Sequence, residues 1–141
     1  MTAKEYLNQY HDALVEIETL TEEVQRLRSL AEKITVAFDS DGSAPGTRKT
    51  DKIEECVERI MESEEKIKSR AEELSKIRQE VYDTIVKVQD SKLRTLLLMR
   101  YIGNKSFENI SITMGYTYNH ILKNIHPQAL MEVSKIMKES M

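Results

Sequence analysis

From Ala3 to Val88, apolar residues return every three or four positions, a periodicity that two long amphipathic helices satisfy. The first stripe runs Leu7, Tyr10, Leu14, Ile17, Leu20, Val24, Leu27, Ala31 and Ile34. The second runs Ile53, Val57, Ile60, Ile67, Ala71, Leu74, Ile77, Val81, Ile85 and Val88, with Glu64 interrupting it. Thr2 and Glu5 offer a capping box ahead of the first helix. Between the stripes, Phe38 to Thr50 has no periodicity, and three of the chain's six Gly and Pro residues fall between Gly42 and Gly46. That segment is read as a loop with a mobile tip. Asp39 and Asp41 before Gly42 resemble the start of a calcium loop, but the remaining ligands and the closing Glu are missing. Two helices of similar length joined by a loop fold back antiparallel, and at about 1.5 Å per residue each runs roughly 50 Å. One stripe per helix makes a thin core. A second copy covering the flanks is therefore expected, as a homodimer or higher homo-oligomer.

Composition agrees with an all-α chain. At 141 residues it suits one domain or two small units. Charged residues make up 32% and aromatics 6%, which suits helices with solvated outer faces better than a broad globular core. No apolar run approaches the roughly 20 residues of a membrane span, so no membrane association is expected. No basic head with an apolar follow-on opens the chain, so no signal peptide is expected either. Cys56 is the single cysteine and rules out an internal disulfide, which leaves a cytoplasmic protein as the expectation. Cys56 itself reads as a small apolar residue near the seam, beside Ile53 and Ile60. Residues 1–90 hold 14 Lys and Arg against 21 Asp and Glu, a net −7, whereas residues 91–141 hold 7 against 3, a net +4. Ordinary helix surface chemistry accounts for so mild an asymmetry, but it also fits a protein-facing half and a phosphate-facing half.

The chain therefore divides into an antiparallel coiled-coil hairpin over 1–89, with its loop at 38–50, and a small helical domain over 90–141. Asp90 or Ser91 starts a support helix carrying Leu93, Leu96, Leu97, Leu98 and Tyr101, and Gly103-Asn104 ends it. Ser106 caps a short helix whose Ile110 and Met114 share a face. Gly115 then supplies a left-handed turn, and Thr117 caps a second helix whose Ile121 and Ile125 point back onto the first. Ser106 to Ile125 is thus a helix-turn-helix, the unit that sets a helix in the DNA major groove. A helical corner with no nucleic-acid role is the structural alternative. Pro127 pushes His126 out of helical geometry and fits the first position of a last helix, Pro127 to about Lys138. Ala129, Leu130, Val133 and Met137 pack that helix back.

Arg100-Tyr101, Ser106-Phe107-Glu108-Asn109-Ile110-Ser111, Met114-Gly115-Tyr116-Thr117 and Ile121 together resemble the C-terminal, promoter-binding region of sigma-70-class factors. That family reads L-R-Y, S-x-E-E-I-A, L-G-I-S and V. The layout as a whole is similar to small phage and prophage proteins of Gram-positive bacteria, which join a long helical half to a sigma region-four-like helix-turn-helix end. Asn109 stands where the family has Glu, and Ser111 where it has Ala. Lys123 is the only full positive charge on the second motif helix.

The resemblance implies a groove-facing surface made of Thr117, Tyr118, Asn119, Leu122 and Lys123. Asn119 is suited to the paired hydrogen bonds of adenine, and Lys123 to a phosphate or guanine. Thr117 is placed for a phosphate, and Tyr118 for a thymine methyl. Packing against a protein is the alternative for Tyr118 and Leu122, and plain solvent exposure for Asn119. Arg94, Arg100 and Lys105 are candidate phosphate contacts. His120 and His126 lie six apart and His11 sits in the other half, so no metal site is read. No Cys–His pair, phosphate-cradling Gly loop or H-E-x-x-H is present, so neither an enzyme nor a cofactor is expected. The leading expectation is a phage-type transcriptional regulator. It would bind double-stranded DNA and, as the sigma resemblance implies, touch RNA polymerase. The alternatives are an assembly or packaging protein of the terminase small-subunit kind, distinguished by ring stoichiometry, and a protein-interaction module that binds no DNA.

Overall fold

Side-chain caps set where four of the helices begin. Thr2 Oγ1 accepts the Glu5 N–H at 3.2 Å ahead of α1 (Ala3–Ser40). After α2 (Thr47–Ile85), Asp90 Oδ1 accepts from the Lys92 and Leu93 amides, at 2.9 and 3.2 Å, to start α3 (Ser91–Leu97). Ser106 Oγ accepts from Asn109 to start α4 (Phe107–Met114), and Thr117 Oγ1 from His120 to start α5 (Tyr118–His120). Each cap satisfies an amide that the helix itself cannot. A π turn, Leu98–Ile102, extends α3, and a second, Ile121–Ile125, joins α5 to α6 (His126–Glu139). The computed structural model describes residues 1–40 and 47–140, without the side chains of 38–40 and 47–49. It is 88% helical with no strand among the described residues, an all-α chain. Both long helices reach further into the expected 38–50 loop than its composition suggested, because no Gly or Pro stands before Gly42 or after Gly46 until Gly103. The Gly42–Gly46 turn expected at the loop's tip lies outside the described residues.

The described chain forms two compact units, Val15–Glu73 and Met1–Leu14 with Leu74–Met141. In the first, α1 and α2 run antiparallel, tied by Arg28–Glu64 and by Arg70 Nε–Glu16 at 2.9 Å. Glu64, the interruption in the sequence stripe, thus has a partner across the hairpin. The α2 seam alternates steps of three and four through Ile53, Cys56, Ile60, Ser63, Ile67 and Arg70, none of them exposed. That register corrects two expected seam positions. Val57 is 46% exposed and Ala71 is exposed, because a step of four from Ile53 to Val57 turns the side chain off the seam that Cys56 occupies. Among the described residues of this unit, only Val24, Leu27 and Cys56 are buried, so its core is as thin as one stripe per helix predicts.

The second unit holds the dense core. Leu7, Val81, Ile85 and Val88 from the long helices join Leu96, Leu97, Tyr101, Ile110, Ile121, Ile125, Ala129 and Val133 in one cluster. Tyr6 Oη meets Thr84 Oγ1 at 2.9 Å and adds a cross-helix tie. This unit therefore crosses the 89/90 division drawn from the sequence. The last turns of α2 bury their stripe against the helices that follow. Arg94 secures that passage, its Nη1 donating to the Val88 and Gln89 carbonyls at 2.9 and 3.2 Å.

One local expectation is made specific and one changes. Within the Gly103-Asn104 pair that ends the support helix, the left-handed residue is Asn104 (φ 53°), while Gly103 has φ −83°. Gly103 is needed for space instead: a Cβ there would sit 2.9 Å from the Met99 carbonyl oxygen. His126 does not leave helical geometry. Its φ and ψ are −61° and −48°, so the path from Tyr118 to Glu139 is continuous. The His126 amide bonds back to the Ile121 carbonyl, five residues away. That wider π turn leaves room for the Pro127 ring and makes its missing N–H harmless.

Candidate nucleic-acid interface

Gly115 adopts φ +77°, and its amide and that of Tyr116 both bond to the Ser111 carbonyl, at 3.0 and 3.1 Å. This left-handed cap ends α4 and lets Tyr116-Thr117 start the next helix. Ile110, Ile121 and Ile125 are fully buried and Met114 packs against them, so both helices of the turn share one core. What remains outside is the opposite face. Thr117, Tyr118, Asn119, Lys123 and Asn124 are exposed and Leu122 is half-buried. The five residues expected to face a groove therefore lie on one helical stretch of seven residues. The Thr117 oxygen already accepts the His120 amide, which leaves its proton for an outside acceptor.

The three supporting cations have different surroundings. Arg94 is half-buried on the Val88 and Gln89 carbonyls. Arg100 donates to the Lys105 carbonyl at 3.1 Å and lies 4.2 Å above the Phe107 ring, clamping the turn before α4. Both have structural duties that spacing alone did not reveal. Lys105 is exposed.

Sequence reading missed a second group here. Lys92 Nζ lies 6.0 Å from the Tyr116 ring, and that ring is tilted against His120 at 5.4 Å between centroids. His120 Nδ1 pairs with Asn124 Nδ2 at 2.8 Å. The four-residue step from His120 to Asn124 was a legible signal. Nothing local linked Lys92 to Tyr116, 24 positions on.

Beneath the junction of the second π turn and α6 is a polar pair in the core. Tyr101 Oη and His126 Nε2 share a 2.6 Å hydrogen bond, and Phe107 meets the imidazole edge-on at 4.9 Å. Burial, with Lys4 and Arg100 nearby, pushes the His126 imidazole down to about 4, and burial pushes the Tyr101 phenol up to about 12. Both groups are therefore neutral at pH 7, and the pair fixes α3 against α6.

Among the described residues, no three His, Cys, Asp or Glu side chains are grouped to hold a metal, and no helix is long and apolar enough to cross a membrane. The unit carrying this surface holds 11 Lys and Arg against 8 Asp and Glu, a net +3, and Val15–Glu73 holds 10 against 16, a net −6. The positive balance thus lies with the unit that carries the exposed helix face, whose own stretch from Thr117 to Asn124 holds one Lys. Set against protein-family models, curated proteins and solved structures, the chain matches none of them.

Proposed function

We propose that this chain is a DNA-binding transcriptional regulator of the phage or prophage type. Its helix from Tyr118 docks in the major groove, and its helical hairpin carries self-association. The observation that carries this proposal is the capped, outward-facing start of that helix. Thr117, Tyr118 and Asn119 stand exposed one residue beyond a left-handed Gly turn, on a helix whose opposite face is anchored by Ile121 and Ile125. Asn119 reads a base, Lys123 and Lys105 meet phosphates, and Tyr118 and Leu122 give apolar contact. One full positive charge on the reading helix makes a single copy a weak binder, so two copies on two half-sites supply useful occupancy. Contact with RNA polymerase is part of the same proposal and rests on the sigma resemblance alone.

A protein-interaction role is favoured by one feature, the 79% exposure of Ile112 on α4, which is an apolar contact with no use in reading bases. Selection from a random pool of duplex DNA separates the two. A regulator enriches a short motif, and Asn119→Ala relaxes that motif at one base pair, at a cost of about 1–3 kcal/mol. A pool that stays unenriched at low salt rejects DNA binding.

A further inference from the structure

We infer that Lys92, Tyr116 and His120 form a phosphodiester clamp on the flank of the helix-turn-helix, gripping the backbone of duplex DNA beside the groove. This inference rests on the DNA-binding function proposed above. A helix set in the major groove needs cations and hydrogen-bond donors beside it to fix its register on the phosphates. Two of the cations that the sequence nominates are held within the fold: Arg94 by the Val88 and Gln89 carbonyls, and Arg100 by the Lys105 carbonyl and the Phe107 ring. The fold brings a different cation to the motif. Lys92, in the first turn of α3, places its ammonium 6.0 Å from the Tyr116 ring, and Tyr116 immediately precedes the Thr117 cap of the reading helix.

Three donor side chains are neighbours there, the Lys92 ammonium and the His120 ring each lying against the Tyr116 ring. Among the described residues, the Lys92 ammonium has no carboxylate partner and the exposed Tyr116 hydroxyl has no hydrogen bond. With Asn124 Nδ2 donating to His120 Nδ1, Nε2 is the ring's donor atom, and it has no hydrogen bond among the described residues. One ammonium, one phenol and one imidazole N–H on neighbouring side chains suit the oxygens of a phosphodiester, as a positive charge with two donors. Tyr116 also holds the lysine in place through its ring face, which lowers the entropy lost when the phosphate binds. None of the three reaches a base edge by this route, so the clamp adds affinity for every sequence alike.

The test measures the affinity of the full-length protein for a random-sequence duplex over a salt series. The wild type and four variants are compared: Lys92→Ala, Lys92→Arg, Tyr116→Phe and Lys138→Ala. Lys138 lies near the end of α6, roughly 27 Å along the continuous helix from His120 at about 1.5 Å per residue. Lys92→Ala is expected to lower the slope of log affinity against log salt by about 0.9, one phosphate's worth of released counterions, and Lys92→Arg to restore it. Tyr116→Phe should weaken all sequences by roughly three- to tenfold. Lys138→Ala should keep the wild-type slope. If the wild type binds and Lys92→Ala keeps its slope, or if Lys138→Ala lowers the slope equally, the clamp is overturned while DNA binding stands. If the wild type binds no duplex at low salt, the clamp and the proposed function fall together.

Discussion

Acidification from about pH 8 to about pH 4 should loosen the unit built on Tyr101 and His126, and the structure sets how much. The His126 imidazole lies at about 4 in the fold against an ordinary value of 6.5, chiefly because burial penalises its charged form, with Lys4 and Arg100 adding repulsion. A depressed histidine binds its proton more readily in the unfolded chain. Its contribution is therefore fully present above about pH 6.5 and is lost as the pH falls towards about 4. At about 1.4 kcal/mol per tenfold, that gap is worth roughly 3 kcal/mol, reduced to about 2 by solvent at the edge of the site. Tyr101 works in the opposite limb: its phenol, raised to about 12, withdraws stability as the pH rises above 10. Urea unfolding followed by tyrosine fluorescence, on the wild type and His126→Phe across this range, isolates the histidine. The difference between the two should shrink by about 2 kcal/mol between pH 7 and pH 4. A constant difference, or a proton-resonance titration placing the His126 midpoint near 6.5, would refute the claim that this ring is held neutral by burial.

The two glycines of the C-terminal helices should fail by different mechanisms. Gly115→Val is expected to cost about 2 kcal/mol and Gly115→Asn well under 1, because open space surrounds this φ +77° position and only the backbone angle matters. Gly103→Ala is expected to cost about 1–3 kcal/mol through its clash with the Met99 carbonyl, and Asn there should bring no relief; chemical denaturation ranks the four variants. Met61 is 62% exposed and Val57 46%, so Val57→Lys with Met61→Lys should shift the full-length protein towards monomer in light scattering if this flank receives a second copy. An unaltered mass distribution would place self-association elsewhere or deny it.

Most of the fold was legible because it is built from local signals. The caps Thr2, Asp90, Ser106 and Thr117 precede their helices as side-chain oxygens at sequence-readable spacing. Gly115 marks a turn because no other residue accepts its φ at so little cost. The hairpin seam was harder. Steps of three and four both keep a stripe in view, and only packing chose Cys56 over Val57. The continuous path through His126 was illegible because Pro normally ends a helix, and a π turn that accommodates it has no sequence signature here. The surface from Thr117 to Lys123 could be named from spacing. The duties of Arg94 and Arg100 and the meeting of Lys92 with Tyr116 could not, since each depends on chain segments brought together by the fold.

Chemical-shift mapping of the full-length protein, isotope-labelled and titrated with a short duplex at low salt, tests the central claim most directly. If the helix from Tyr118 enters the groove, the amide shifts concentrate on Thr117 to Asn124, with weaker changes at Lys92, Lys105 and Tyr116, and they fade as salt rises. Spectra unchanged by any duplex at low salt, or shifts confined to Val15–Glu73, would contradict it.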